Sequence, residues 1–233
     1  MRKYVFLLMI IPFIGIKAQI YSYDESVRFP TMDLYDTGTM NMALRHAAAM
    51  AERVRNISYT IQPQRELQYQ KYREGKYADA ITICIEVVNR YVYYVVDHQA
   101  TSDMEQLAAD CAVKIKEYEL AISFYQSLKN AKIDGMDSKL SNIFNIKMND
   151  ARNSFRNRNY SSLWNDVAIA LKTGWESGEC YYYFGACYEN SNNISEAKKM
   201  YRLAKKKKYT PATTALKLLK NRKKDKGNPE VYY

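Results

Sequence analysis

The sequence predicts an all-α protein, an α-solenoid of antiparallel helix pairs, and three observations predict it. Helix breakers are scarce, 8 Gly and 5 Pro in 233 residues, so long stretches can stay helical. A turn motif recurs as Tyr77-x-x-Ala80, Tyr118-x-x-Ala121, Tyr160-x-x-Leu163 and Ile194-x-x-Ala197, at intervals of 41, 42 and 34 residues, and a period of this size signals stacked supersecondary units. Apolar residues at helical spacing bracket that array: Met40, Leu44, Ala47, Ala51 and Val54 before it, and Ala215, Leu216, Leu218 and Leu219 after it.

Taken in order, the chain begins with a short basic start, Arg2-Lys3. A mostly apolar run, Val5 to Ile16, follows and closes at Lys17-Ala18-Gln19. This is the pattern of a secretory signal peptide over 1–18, cleaved near Ala18; the alternative is an uncleaved N-terminal anchor. The run is shorter than the roughly 20 apolar residues of a good membrane span, and no later stretch is apolar enough to be one. The expected location is therefore exported, periplasmic or extracellular. Residues 19–38 show no period and are expected to be extended, with an N-terminal helix beginning near 39 and ending by 60.

The repeats come next. Tyr181, Phe184, Gly185, Tyr188, Ala197, Tyr201 and Ala204 occur together at fixed offsets, and here the sequence resembles the tetratricopeptide repeat (TPR) family, whose period is about 34 residues. Pro211 stands two residues later than that pattern places its proline. The resemblance implies that the small Gly185 and Ala197 mark the close crossing of a helix pair, with Tyr188, Tyr201 and Ala204 filling the space around it. Four copies follow: 61–94, 102–135, 144–177 and 178–211. The third is degenerate, because Leu163 stands where the crossing alanine belongs. The long first two intervals imply extended helices around 86–98 and 139–145.

Local signals complete the elements. Ser102-x-x-Glu105 reads as a capping box, Asp134-Gly135 as a helix stop, and Pro63 and Pro211 as first-turn prolines. Residues 212–233 read as a capping helix and basic tail, since a solenoid needs terminal elements with one polar face.

The charge of +10 is unevenly spread. Arg2, Lys3 and Lys17 belong to the leader, residues 205–226 hold ten cations against Asp225, and Glu230 lies beyond them, so 19–204 carries a net charge of −1. A basic isoelectric point thus gives little support for nucleic-acid binding, and no nucleic acid is expected as a partner. The run Lys205, Lys206, Lys207, Lys208 reads as a solvated helix end, or as a weak contact with an anionic membrane or acidic protein.

Of the four cysteines, Cys180 and Cys187 are too far apart on one helix to bridge. There is no CxxC, and His46 and His98 lie far from any cysteine in sequence, so neither a metal site nor another cofactor is expected. The cysteines read as small buried apolar side chains. The repeat register also makes Cys84–Cys111 the one pairing to consider as a disulfide. No phosphate-binding Gly-rich loop, HExxH or Gly-x-Ser-x-Gly appears, and acid pairs such as Asp103 with Glu105 read as surface groups. The chain is not expected to be an enzyme.

In TPR proteins the first helix of each pair lines the concave side. The resemblance therefore implies a groove carrying Arg65, Tyr69, Tyr72 and Arg73 from the first copy, Asn145, Arg152 and Arg156 from the third, and Tyr182 from the fourth. Asp103, Gln106, Asp110, Val113 and Lys114 occupy those places in the second copy. Arginine and tyrosine combine apolar area with hydrogen-bonding capacity and suit a binding face. The Lys and Asn pattern that clamps a terminal carboxylate in chaperone-binding members is missing. The expected function is an exported binding module that holds a protein or peptide partner. A structural subunit of a cell-envelope assembly and a glycan-binding protein, its tyrosines stacking on sugars, are the alternatives.

Overall fold

The computed structural model describes residues 37–225. The expected signal peptide, the segment 19–36 and the tail 226–233 lie outside them. Among the described residues there are ten α-helices and no strand. They are α1 (Thr37–Thr60), α2 (Gln62–Arg73), α3 (Tyr77–Tyr91), α4 (His98–Lys114), α5 (Tyr118–Asn130), α6 (Met136–Arg156), α7 (Tyr160–Lys172), α8 (Gly178–Asn190), α9 (Ile194–Lys206) and α10 (Pro211–Asp225). A 3₁₀ turn, Val95–Asp97, precedes α4. By contacts the chain divides into two units, Met1–Ala48 and Ala49–Tyr233. In the first, the described part is the opening stretch of α1.

Within the second unit, each helix from α2 to α10 packs on the next in chain order, and helices two apart touch as well: α2 with α4, α5 with α7, α6 with α8. Contacts that run along the chain in this way define an α-solenoid. Its core is a row of three clusters. The first holds Ile61, Cys84, Met104, Tyr125, Leu128 and Leu140. The second centres on Met148, Leu163, Val167 and Cys180, and the third on Ala197, Tyr201, Ala204 and Leu219. Leu163, the residue that replaces a crossing alanine, is fully buried.

The helices end by a shared device. After α2, α4, α5, α6, α8 and α9 the chain turns left-handed at Gly75, Lys116, Lys132, Arg158, Asn192 and Lys208, with φ between 55° and 73°. At each of these ends the next N–H reaches back five residues, as in Glu117 N to Ala112 O at 2.8 Å and Asn193 N to Tyr188 O at 2.8 Å. These are Schellman closures. Four of the six use Lys or Arg where glycine is usual, and their cations suit the negative end of the helix dipole.

Several local expectations need correction. Ser102 lies a turn inside α4 and Glu105 is buried, so the pair is not a capping box. Asp134-Gly135 opens α6, with Gly135 at φ 82° as its N-cap, instead of closing α5, which ends at Asn130. The helix expected to run through 86–98 ends at Tyr91, and the extra residues form an irregular link and the 3₁₀ turn. The second long interval is taken up inside the 21-residue α6. Pro63 does sit in the first turn of α2 and Pro211 begins α10. All four cysteines are buried as free thiols, with no bridge between Cys84 and Cys111.

Candidate functional site: the first-helix face

The residues expected to line a groove lie on α2, α4, α6 and α8, and the structure divides them into two sets. In one, charges on successive first helices pair with each other. Arg65 of α2 stands 2.7 Å from Asp103 of α4, close enough for an ion pair although its Nε is not aligned for a hydrogen bond. Its guanidinium also donates to Ala100 O at 2.8 Å. Asp110 of α4 accepts from Lys139 of α6 at 2.8 Å. Arg152 of α6 grips Glu179 of α8 in a two-toothed contact, Nε at 2.9 Å and Nη2 at 2.7 Å. Each junction between first helices thus carries one ion pair.

Glu179 shows how such a contact works. Burial pushes its carboxyl pKa up, but hydrogen bonds from Arg152 and Tyr183, reinforced by the Arg152 charge, outweigh burial and hold it below the ordinary value. The phenols of second helices tie in similarly. Tyr125 donates to Asp110, and Tyr201 donates to Glu189 at 2.9 Å. In the aligned copies, therefore, equivalent tyrosines satisfy acids of the preceding helix. Tyr182, another expected groove residue, stacks instead among Phe155, Tyr183, Tyr201 and Tyr209, with ring centroids 5.3–5.9 Å apart. Tyr72 packs half-buried against Tyr77 at 5.8 Å.

The second set stays available to solvent. Tyr69 and Arg73 are exposed on α2, and Asn145 and Arg156 on α6. Neither Arg73 nor Arg156 has an ion-pair partner among the described residues. In the basic run, Lys205, Lys206 and Lys208 are exposed and unpaired among the described residues, while Lys207 pairs with Glu176 at 2.6 Å.

Sequence reading passed over three polar clusters. Asp97, fully buried, accepts from Arg53 Nε at 2.7 Å and from the backbone N–H groups of Tyr93 and Tyr94. The Arg53 guanidinium lies over both of those tyrosine rings. Glu105, read as a surface acid, is 1% exposed and bonded to His98 Nδ1 at 2.8 Å and to the Thr101 hydroxyl. Lys147, also buried, reaches Asp166 at 2.6 Å and Asp150 at 2.9 Å. Burial lowers the Lys147 pKa, yet those two carboxylates outweigh it and raise the pKa above its usual value. A charged residue inside an amphipathic pattern is the one sequence sign these clusters give.

The surface also holds an open depression of about 410 Å³, lined by Ala49, Glu52, Arg53, Asn56, Ile57, Thr60 and Tyr91; no expected groove residue lines it. Trp164, 41% exposed, sits against Phe184 at 4.6 Å and edge-on to Tyr188 at 5.2 Å. Among the described residues no helix is long and apolar enough to cross a membrane.

Fold and face together define the class: an all-helical solenoid whose successive units are keyed by ion pairs. No protein-family model matches the chain, and no curated protein matches it.

Proposed function

We propose that the chain is an exported TPR-like binding module that holds a protein or peptide segment on the face shared by its first helices. One observation supports this reading above the rest. The acids and bases between neighbouring helices pair with each other, so the side chains left outward, Tyr69, Arg73, Asn145 and Arg156, are those that do not serve the stacking. An aromatic ring, two guanidinium groups and an amide offer stacking area and forked donors, which suit an extended peptide bearing carboxylates. A face with fixed internal pairs is also preorganised, which lowers the ordering cost of binding.

The test is co-purification of the tagged mature chain from envelope extract, comparing the native form with Tyr69→Ala/Arg73→Ala/Arg156→Ala. Loss of a stoichiometric partner, with the helical circular dichroism spectrum unchanged, is the expected result. Retention of that partner by the triple variant refutes the assignment of the face. The exposed Trp164 beside Phe184 and Tyr188 favours a second reading, glycan stacking. Quenching or a shift of tryptophan emission on adding envelope oligosaccharides, lost in Trp164→Ala, would support it.

A further inference from the structure

We propose that the terminal helix pair, α9 with α10, binds the surface of an anionic lipid bilayer. The charge of the described solenoid is not spread along it. Residues 49–190 contain 17 cations and 18 acids, whereas residues 191–221 contain nine cations and one acid, Glu196. Of those nine, Lys199 pairs with Glu196 and Lys207 with Glu176, both at 2.6 Å. Lys198, Arg202, Lys205, Lys206, Lys208, Lys217 and Lys220 have no ion-pair partner among the described residues. This concentration contrasts with the rest of the unit, where ion pairs connect neighbouring helices.

Two further features select the occupant. Leu203 on α9 and Leu218 on α10 are 37% and 56% exposed amid these lysines, while the opposite sides of both helices are buried through Ala197, Tyr201, Ala204, Ala212 and Leu219. Lysines around outward leucines suit the headgroup boundary of a membrane, where ammonium groups stay hydrated and aliphatic tips enter the acyl edge. Eight of the nine cations are lysine. Specific recognition of a protein's carboxylates favours the rigid arginine fork, whereas a compact ammonium on a flexible stem suits a diffuse sheet of phosphates. The inference does not depend on the first-helix face, which α9 and α10 do not form.

The test is co-sedimentation of the mature chain with vesicles of phosphatidylcholine alone or with one third phosphatidylglycerol, in about 0.1 M salt. Each cation close to an anionic surface contributes about fivefold to partitioning. At least thirtyfold preference for the anionic vesicles is therefore expected, largely lost in about 0.5 M salt as screening shortens. Lys205→Glu/Lys206→Glu/Lys217→Glu/Lys220→Glu should bring partitioning down to the level on phosphatidylcholine alone, a loss of about thirtyfold or more. The remote exposed pair Lys116→Glu/Lys132→Glu should change it less than twofold, with both variants matched to the native chain by circular dichroism. Equal binding to the two vesicle types, or equal losses in the two variants, overturns the proposal. So does a chain that ignores both vesicles yet binds poly-glutamate in a salt-sensitive way, since the occupant would then be an acidic protein.

Discussion

Replacing Gly185 by alanine tests the packing of the α8–α9 pair directly. A β-carbon built on Gly185 would lie 2.5 Å from both Cδ1 and Cε1 of Tyr201 and 3.0 Å from its Cζ. That ring has little freedom to retreat: Tyr201 is 2% exposed, its hydroxyl donates to Glu189, and its ring stacks on Tyr182 at 5.4 Å. Overpacking of this kind costs about 1–3 kcal/mol. Alanine recovers up to about 1 kcal/mol of helix propensity over glycine. An overlap to 2.5 Å against so confined a ring puts the cost in the upper half of the overpacking range, so Gly185→Ala is expected to be less stable by about 1–2 kcal/mol, which for a chain of this size lowers the melting midpoint by about 2–8 °C. Thermal and urea melts followed by circular dichroism measure this, and Gly185→Ala/Tyr201→Leu should show a coupling of about 1 kcal/mol, because the smaller side chain makes room. A single variant as stable as the native chain, or more so, would refute the close crossing.

Three other outcomes follow from the same contacts. Lys147→Met strands Asp166, whose side chain is 11% exposed, and should cost about 3 kcal/mol in a urea melt, much of it recovered in Lys147→Met/Asp166→Leu. Between pH 7 and 5 stability should change little, and it should fall toward pH 3. The Glu179 and Asp97 carboxyls sit below their ordinary values because hydrogen bonds and the charges of Arg152 and Arg53 outweigh burial, so their contribution is complete above the unfolded values near 4 and is lost as they protonate; urea midpoints at pH 7, 5 and 3 should fall less steeply in Glu179→Gln. Burial pushes the Cys111 and Cys187 thiols up to about 11 and Cys84 well above its usual value, so a thiol reagent at pH 8 should find almost none reactive in the native chain and all four after unfolding; two after unfolding would mean that Cys84 and Cys111 are bridged.

The α8–α9 pair was the most legible part of the chain. A glycine, two alanines and three tyrosines at fixed offsets encode a close crossing that needs no distant partner, and Gly185 does meet the Tyr201 ring. Helix ends were harder to read, because Lys116, Lys132, Arg158 and Lys208 hold left-handed turns that a search for glycine passes over. The cap at Ser102 failed for another reason. Its Glu105 looks like a first-turn acid, but α4 starts four residues earlier, at His98, and His98 and Thr101 draw the carboxylate inward. The repeat pattern marks the groove as a row of positions, and position alone does not separate Arg65 and Arg152, which brace neighbouring helices, from Arg73 and Arg156, which face water. Only the partner helix decides that, and its register lies 27 to 38 residues away.

The ion pairs between first helices also restrict how such a chain can grow. Both junction residues of α4, Asp103 and Asp110, are acids, and both of α6, Lys139 and Arg152, are bases. Duplicating the α4–α5 unit in place would set Asp110 of one copy against Asp103 of the next, and duplicating α6–α7 would set Arg152 against Lys139. Half-exposed pairs of this sort add little to stability, but like charges at a junction count against the wrong neighbour. The order of units is therefore written into their edges, and lengthening by tandem copying must insert acid-edged and base-edged units alternately.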